Sequence, residues 1–540
     1  MDNGPLQEDM LNHVKREVKE KAAMRRTLGY MRQAETADDE PPAGAAEAQY
    51  TLRQQHARPN NPEVPGQPER VWPGCDPGFK SFYLDFFFPF LFPFYQPHML
   101  EGGRAWLFHF ANESEGGGMQ QTIIALSSYL FSIVLDATEA GHETCKKIGW
   151  DKLFAEMTNT FTGLGENIRR LSQGHGHGHD NDANMQLSLA VRVLGTIVHL
   201  QRFEIATRGF ANCNKHLGAA VQCFTHILGD GGTDDTASDF FAVLGRLGPS
   251  PWPRPYQQFQ IASPEQAAFR FFASLLVADD IVASTSLAEE EPRLYKYHAG
   301  LLSGDECETP QRELPVDLDA VMGCQNWVLV QIGEISALAA WKKRRELAGN
   351  GGDAAASEEL ARRGNAIQDV LESRLDSMHE SSELDQNAVL GLFNAEWASQ
   401  PSTTTASQRR AVITEIWAYA AMIYLFVTLH GGHSAQVKIR QNVDRVVALL
   451  AHKLSPPALL RTVAWPFCVA GCLAAPEHEA FFRRQAEYMQ PAGLFVTVHK
   501  AKEIMEQAWL KKAAMAGQSD DMVDDMAGYF GASSEGLFLV

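Results

Sequence analysis

Histidine alternates with glycine in a short tract that has metal-ligand chemistry. Between Gly174 and Asp180 the chain places His175, His177 and His179 beside a carboxylate. Imidazole and carboxylate groups are ligands for Zn²⁺, Ni²⁺ or Cu²⁺. Alternating glycine leaves the backbone free, so ordering these ligands has a large entropic cost. We therefore predict a mobile loop whose metal affinity is adventitious, and a zinc titration with sub-micromolar affinity would contradict this.

Two adjacent carboxylates, Asp279 and Asp280, interrupt an apolar helical run. A buried carboxyl whose pKa is raised can act as a general acid or base. Neighbouring helix positions point ~100° apart, so these two groups cannot share one proton as a facing pair does. We therefore predict a structural role, such as helix capping or pairing with an arginine such as Arg270 or Arg293.

Two cysteines, Cys468 and Cys472, stand four residues apart and share a face if the segment is helical. Two thiolates could bind a metal, but no second pair or neighbouring histidine completes a site in the sequence. We predict buried free thiols, because cysteine packs as a small apolar residue. The eight cysteines of the chain are irregularly spaced and no secretory signal pattern begins it, which predicts a reducing intracellular compartment.

Recognisable enzyme signatures do not occur in the sequence. A phosphate loop, a dinucleotide-binding glycine fingerprint, a nucleophile elbow, a His-Glu-x-x-His zinc helix and an EF-hand loop are all missing. An active site without a known signature stays open. We assign no catalytic, cofactor-binding or metal-binding residue, and we expect no cofactor.

A basic segment lies near the N-terminus of an acidic chain. The protein carries 47 Lys and Arg against 66 Asp and Glu, a net charge of −19, so its overall field repels phosphate backbones. Residues 11–32 reverse this locally, with seven Lys and Arg against two Glu. An import signal or an ordinary solvated helix has the same composition, and we favour the solvated helix. The candidate DNA-phosphate contacts are Lys15, Arg16, Lys19, Arg25 and Arg26.

Two further segments are rich in aromatic side chains. The run 82–95 is the densest, and it has no Lys or Arg to support base stacking, so we predict burial in the core. The C-terminal segment 519–538 mixes aspartate pairs with Tyr529, Phe530 and Phe538. This pattern is typical of disordered activation segments that dock on partners, and a frayed acidic tail is the alternative.

Helical signals position the candidate residues. Ser263, Pro264 and Gln266 predict a helix that begins with a capping box. Apolar residues recur at helical spacing over 185–207 and 326–347. Strand signals are weak and no internal repeat stands out. The sequence therefore predicts an all-α fold.

The apolar segment 411–429 is hydrophobic nearly all round, which places it at the centre of that fold. A membrane span needs ~18 or more apolar residues. The runs 82–95 and 416–429 fall short of that length, and the first also contains Asp85 and two prolines. We therefore expect no membrane partner.

The composition divides the chain into four parts. Residues 1–33 hold the basic N-terminal helix, and 34–77 predict a disordered linker because Pro, Glu, Ala, Gln and Asn bury little apolar surface. Residues 78–514 form one large helical domain, and 515–540 form an acidic-hydrophobic tail.

Several phrases of the helical domain, in order, resemble the fungal-specific transcription factor domain of Zn(II)2Cys6 zinc-cluster regulators. The resemblance covers about residues 80–512. The phrases are FPFLFPFY (88–95), LEGGRAW (100–106), LSSY (126–129), LQRFE (200–204), EQAAFRFF (265–272), DDIVAST (279–285), GCQNWVL (323–329), WPFCVAGC (465–472) and IME (504–506).

This resemblance implies an all-helical regulatory domain that mediates homo- or hetero-dimerisation with other transcription regulators and, in some members, senses a small hydrophobic effector. It also implies a nuclear regulator of one pathway or one secondary-metabolite gene cluster. Asp279 and Asp280 then belong to a structural motif of the family.

The sequence departs from the family at its DNA-binding module. That module is a six-cysteine cluster, and here only Cys75 precedes residue 145. Six thiolates are needed to bridge two zinc ions, so direct sequence-specific DNA binding is in doubt and the basic segment supplies at most weak phosphate contacts. We expect the protein to act through partners, or the gene model to omit an upstream exon.

Two alternatives come from other functional classes. In the first, the effector pocket has become the active site of a cofactor-independent biosynthetic enzyme, with aromatic walls and a few polar groups around an intermediate. In the second, the protein is an interaction scaffold with neither ligand nor catalysis, and its thermal stability ignores pathway metabolites. We favour the regulator over both.

Overall fold

The computed structural model describes most of the chain from Cys75 onward. The described residues are 75–97, 104–112, 118–137, 143–173, 180–229, 236–248, 262–286, 290–302, 314–349, 354–380, 406–432, 437–515, 526–530 and 539. The chain divides after Cys75 into two units, and the second, residues 76–540, holds this structure. The predicted basic helix 1–33, most of the predicted linker 34–77 and most of the predicted tail 515–540 lie outside the described residues.

The described elements are helical throughout. The first half contains α1 (Cys75–Phe82), a π-helical segment (Tyr83–Phe87), α2 (Phe88–Leu91), α3 (Ala105–Ala111), α4 (Gly118–Ala137), α5 (Glu143–Gln173), α6 (Asp180–Ala206), α7 (Phe210–Leu228), α8 (Thr236–Arg246) and α9 (Pro264–Ser284). The second half contains α10 (Tyr295–Leu302), α11 (Asp319–Met322), α12 (Asn326–Leu347), α13 (Ala354–Glu380), α14 (Ala406–His430), α15 (Val437–His452), a 3-10 helix (Pro457–Val463), α16 (Ala464–Cys472), α17 (Pro476–Tyr488), α18 (Val496–Met515) and α19 (Met526–Phe530). Among the residues that the structure describes there is no strand, and the predicted all-α class is confirmed.

The sequence signals locate the core helices correctly. At the start of α9, the Gln266 backbone N–H donates to Ser263 Oγ at 3.2 Å, and the Ser263 backbone N–H donates to the Gln266 side chain at 2.8 Å. This reciprocal pair is the predicted capping box, which satisfies two of the backbone donors that a helix start leaves free. Helix α12 has the predicted bounds, and α6 and α14 begin a few residues before the predicted segments.

The helices pack as a continuous series of neighbours. Helix α4 contacts α5 and α6, α6 contacts α7 and α9, and α9 contacts α12. Helices α12 and α13 pack on α14, which in turn contacts α15 and α16, and α16 contacts α18. Helix α18 also contacts α6, so helices from the two ends of this series meet.

Helix α9 is the central element of the first half. From Ala267 to Ser284 all of its residues except Arg270 are buried, so neighbours cover it on every side. Gly195 on α6 lets that helix approach closely, because a Cβ at this position would collide with the ring of Phe272. Glycine is therefore required where α6 crosses α9.

Within the residues that the structure describes, two helices are long and apolar enough to cross a membrane. They are Gly118–Leu135 within α4 and Ala406–His430, which is α14. Within the 18-residue apolar window of each helix the fold buries 61% of the residues in the first and 83% in the second, as expected for core helices of a folded domain. The length predicted from the apolar run 416–429 is too short, because α14 continues through residues 406–415.

Candidate functional site

A cavity lies where α6 and α9 meet the 3-10 helix and the start of α18. Its empty volume is about 740 Å³, counted with the part that is open to solvent. Most of its wall is apolar, with side chains such as Leu91, Phe92, Ile205, Leu275 and Val496. The cavity therefore offers a hydrocarbon-binding surface formed by segments that are far apart in the sequence.

Polar side chains interrupt this wall at a few points only. The polar lining residues are Arg202 from α6, Arg461 and Thr462 from the 3-10 helix, and Thr497 from α18. No Asp or Glu is among the described residues that line the cavity. A few polar groups within an apolar wall are the usual composition of a small-molecule site.

Arg202 forms a buried ion pair with Asp279 across the α6–α9 contact. Its Nη2 donates to both carboxylate oxygens, at 2.7 Å and 2.8 Å, and the two side chains are 9% and 0% exposed. Burial raises the pKa of Asp279, and the charge of Arg202 acts in the opposite direction. The Arg202 Nε has no hydrogen-bond partner.

The two aspartates have the predicted kind of structural role, pairing with an arginine for Asp279 and accepting a backbone N–H for Asp280, but both predicted partners are wrong. Arg270 donates to the Leu314 carbonyl at 2.9 Å and does not pair with either aspartate. Asp280 accepts a hydrogen bond from the Leu294 backbone N–H at 2.8 Å. Burial raises the pKa of Asp280 to about 6, while the backbone N–H groups of Leu294 and Arg293 and the charge of Arg293 act to lower it. The Arg293 guanidinium itself donates to Asn214, at 2.6 Å to Oδ1, so Arg293 is an electrostatic neighbour of Asp280 and the predicted ion pair does not form.

Arg461 is the second charged group at the cavity. Its Nη2 donates to the Phe90 carbonyl, and its guanidinium carbon lies 4.5 Å from the centre of the Phe90 ring. Its Nε has no partner, and in the described part of the chain no carboxylate lies within ion-pair distance of it. Burial and the charge of Arg202 lower the pKa of Arg461 to about 9, so the group is still charged at neutral pH.

A neutral polar pair lies beside Arg202. His199 Nδ1 is 3.0 Å from the Gly195 carbonyl, so this nitrogen carries the proton and donates it. His199 Nε2 then accepts from the Tyr83 hydroxyl at 3.0 Å. Burial lowers the pKa of His199 to about 4 and raises that of Tyr83, which keeps both groups uncharged.

Six of the nine aromatic side chains in the run 82–95 are buried in the core, as predicted, whereas Phe86 is exposed and the prediction is wrong there. Phe271 of α9 is the centre of this packing, with ring centroids 5.6 Å from Phe88, 5.0 Å from Phe92, 4.7 Å from Tyr95 and 4.9 Å from Trp106. The Trp106 Nε1–H donates to the Tyr95 hydroxyl at 2.8 Å. The part of the run that ends α2 also contributes to the cavity wall.

The predicted free thiols are confirmed. Cys468 and Cys472 are completely buried and unpaired as disulfides. Burial raises the pKa of Cys468 well above its usual value, with the neighbouring Cys472 acting in the same direction. Within the described ranges, no group of three or more His, Cys, Asp or Glu residues is placed to hold a metal ion.

The remaining candidates fall on residues whose structure is not described. These are the basic residues Lys15, Arg16, Lys19, Arg25 and Arg26, the histidine tract 174–179 and the acidic residues 519–525. The structure does describe α19, at the end of the predicted tail, where Met526 and Phe530 are buried.

The sequence reasoning missed both cavity arginines and Thr497. Arg461 stands inside a mostly apolar helical stretch, and a lone arginine in such a position is the available signal. Arg202, in contrast, lies beside Gln201 and Glu204 and carries no such signal. Thr497 carries no comparable signal, because threonine is common on ordinary helices. Only the packing of α18 against α6 and the 3-10 helix brings the three side chains to one cavity.

Fold and site together define the class as an all-helical domain with a largely apolar cavity beside two arginines. Comparison with known proteins refines it. The family model of the fungal specific transcription factor domain matches residues 79–526. The match covers most of the chain, so the protein belongs to this family, and the predicted resemblance is confirmed.

Individual relatives agree with the family. Transcription factor dibT of Pestalotiopsis microspora is 33% identical over 83% of this chain and 69% of its own length. The ustiloxin B cluster transcription factor ustR of Aspergillus flavus is 28% identical over 58% of this chain and 49% of its own length, so the chain spans about half of that relative. The pestheic acid cluster transcriptional regulator 3 of Pestalotiopsis fici is 22% identical over 82% of this chain and 72% of its own length. No solved structure matches the chain.

Proposed function

We propose that the protein regulates transcription of a fungal secondary-metabolite gene cluster and works in the nucleus. The family match over residues 79–526 carries this conclusion. Relatives named as regulators of the ustiloxin B and pestheic acid clusters support the assignment to secondary metabolism. The role is regulatory rather than catalytic, in keeping with those relatives.

DNA recognition comes from a partner regulator in this proposal. Only Cys75 precedes Cys145, so residues 1–144 do not contain the six cysteines of a zinc cluster. The helical domain would dimerise with a second regulator that carries such a cluster, and the basic residues near the N-terminus would add phosphate contacts. A coding segment upstream of Met1 that supplies six cysteines is the alternative source of the DNA-binding module.

The cavity serves as an effector site in this proposal. It joins α6 and α9 to the 3-10 helix and α18, which are separated by more than 170 residues in the sequence. A ligand held between these segments binds the folded arrangement in preference to any more open one, so it stabilises that arrangement. This is how a small hydrophobic molecule would change the regulatory state of the domain.

Chromatin occupancy of the tagged full-length protein in its own host tests the proposed function. We expect enrichment at the promoters of a few neighbouring biosynthetic genes, and a large fall in their transcripts when the gene is deleted. An occupancy profile at background level, together with unchanged transcripts, would overturn the proposal. Conversion of one metabolite lost on deletion, with transcripts unchanged, would instead indicate an enzyme.

A charge-neutral variant tests the basic segment. Replacing Lys15, Arg16, Lys19, Arg25 and Arg26 by Gln should lower occupancy several-fold if these residues contact phosphates, because each such contact releases counterions. A matched variant removes five exposed cations elsewhere, and it should keep wild-type occupancy. Its positions are Arg362, Arg374, Arg440, Lys453 and Lys511. Equal occupancy of the two variants would show that the basic segment makes no specific contribution.

A further inference from the structure

We propose that the cavity binds a small amphipathic organic anion, with its carboxylate beside Arg461 and Thr497 and its hydrocarbon part against the apolar wall. This inference rests on the proposed effector role of the cavity and names the chemical class of the effector. Three independent features of the described residues carry it: the charge balance, the unpaired polar atoms and the apolar wall.

The charge balance of the cavity is positive. Two guanidinium groups line it, and they are close enough to affect each other electrostatically. Asp279 neutralises Arg202 by direct contact. Arg461 has no such partner among the described residues, although an uncompensated charge inside a protein is costly. A bound anion would supply the missing countercharge.

The unpaired polar atoms point to an acceptor group. The Nε–H of both lining arginines and the hydroxyl of Thr497 have no hydrogen-bond partner. All three atoms are themselves covered, so a ligand would reach them after a small rotation of the lining side chains. Buried donors are nearly always paired in folded proteins, and each unpaired one has a cost. A carboxylate has two oxygens and about four acceptor positions, so one carboxylate can accept from a guanidinium and a hydroxyl together.

The apolar wall selects an organic anion over an inorganic one. Leu91, Phe92, Ile205, Leu275 and Leu494 surround the polar groups. Chloride or phosphate would pair with Arg461 and leave this surface in contact with water, whereas a hydrocarbon chain would cover it and tighten binding roughly fourfold for each buried methylene. The two halves of the site are therefore complementary to one amphipathic molecule.

Matched pairs of acids and amides test this inference on the purified full-length chain. The probes are butanoate, hexanoate, octanoate and phenylacetate, each compared with its primary amide, and their dissociation constants are measured by isothermal titration calorimetry at pH 7. We expect at least one acid to bind at least tenfold more tightly than its amide. Affinity should rise from butanoate to hexanoate as the hydrocarbon part covers more of the wall. The assay needs no DNA and no promoter, so it is independent of the test of transcriptional regulation.

Two substitutions in the cavity locate the carboxylate. Arg461→Gln should weaken binding of the best acid at least tenfold and bring it close to that of its amide. Thr497→Val removes an unpaired hydroxyl with little change of shape, so it should fold normally and weaken the acid several-fold. Arg362→Gln, at an exposed position on α13, removes the same charge away from the cavity and should leave binding unchanged.

Each contrary outcome overturns the inference. Equal binding of acids and amides would remove the carboxylate from the site. Unchanged acid binding by both Arg461→Gln and Thr497→Val would place it elsewhere. Saturation by chloride or phosphate, with competition against the acid but no gain from the hydrocarbon chain, would show a site for inorganic anions only. A complete lack of binding by all four acids would reject the proposed ligand class, while leaving the regulatory function to its own test.

Discussion

Helix α9 contributes to two regions that differ in how tightly their side chains pack and in whether their polar groups are paired. Near its first half lies the aromatic cluster, which we define as Phe88, Phe92, Tyr95, Trp106 and Phe271. Its rings are in contact with one another, and its indole N–H has a hydrogen-bond partner. About one turn further along α9, Leu275 lines the arginine cavity, where the donors of three side chains are unpaired.

The aromatic cluster stabilises the fold, whereas the cavity has the unpaired groups expected of a binding site. A cluster of buried, contacting rings stabilises the fold by itself, because it needs no further partner. The cavity contains a buried ion pair, an uncompensated guanidinium and unsatisfied donors, a combination that weakens the fold until something fills it. Natural domains keep such defects mainly at functional sites.

The largest effect should come from the aromatic cluster. Phe271 is 1% exposed and contacts the other four rings of the cluster, so Phe271→Ala should lower the free energy of unfolding by about 3–5 kcal/mol. Phe86→Ala is the control, because Phe86 is 63% exposed and its truncation should cost less than about 0.5 kcal/mol. Urea unfolding followed by fluorescence measures both values. Similar losses of unfolding free energy in the two variants would show that the aromatic cluster does not stabilise the fold more than an exposed ring does.

The next largest effect should be a pH dependence at the boundary between the two regions. His199 faces Tyr83 and Arg202 there, and its pKa in the folded protein is about 4, against about 6.5 in the unfolded chain. The unfolded chain therefore binds this proton more tightly, and the contribution of neutral His199 is fully present above pH 6.5. It is lost as the pH falls toward 4, by about 3 kcal/mol in total.

The variant His199→Gln isolates this contribution from other titrating groups. Its free energy of unfolding should fall less steeply than that of the wild type between pH 6.5 and 4. His452→Gln, at an exposed position at the end of α15, should follow the wild-type profile. Parallel profiles for the wild type and His199→Gln would show that this histidine is not held neutral by the fold.

The smallest of the three effects should come from the ion pair at the cavity. Asp279→Asn keeps the shape and one acceptor oxygen but leaves Arg202 without a countercharge, so it should lower the free energy of unfolding by about 2 kcal/mol. Carboxylate binding in the cavity should rise several-fold in the same variant, because the ligand would then face two uncompensated guanidinium groups. Asp369→Asn, exposed on α13, should change neither quantity. A loss of carboxylate affinity in Asp279→Asn would contradict the proposed role of charge in the cavity.

Much of this architecture can be predicted from local patterns. The capping box of Ser263 and Gln266 specifies the start of α9, and apolar residues at helical spacing specify α12 and most of α6. Such signals act over a few residues, and so a single sequence contains them in full. The burial of Cys468, Cys472 and most aromatic side chains of the run 82–95 follows from the same reasoning, since these side chains gain most by leaving water, but the exposure of Phe86 does not.

The partners of the charged groups could not be predicted in the same way. The carboxylate of Asp279 has arginines available on its own helix and in the loop that follows, yet its partner is Arg202, 77 residues away. Local spacing places Arg270 on the same helix, but the approach of α6 at Gly195 decides which guanidinium reaches the carboxylate. Pairing of charges depends on crossing helices, which spacing along one helix does not encode.

The helical class and the central helices could be predicted from the sequence because they depend on residue spacing within single helices. The family could be predicted because its short sequence motifs occur in the expected order. Tertiary structure alone decided that Arg202, Arg461 and Thr497 meet at one cavity, since they come from three segments separated by 259 and 36 positions. The physical reason is that a cavity and its unpaired charge arise from how helices pack around a space, and packing is a property of the whole fold.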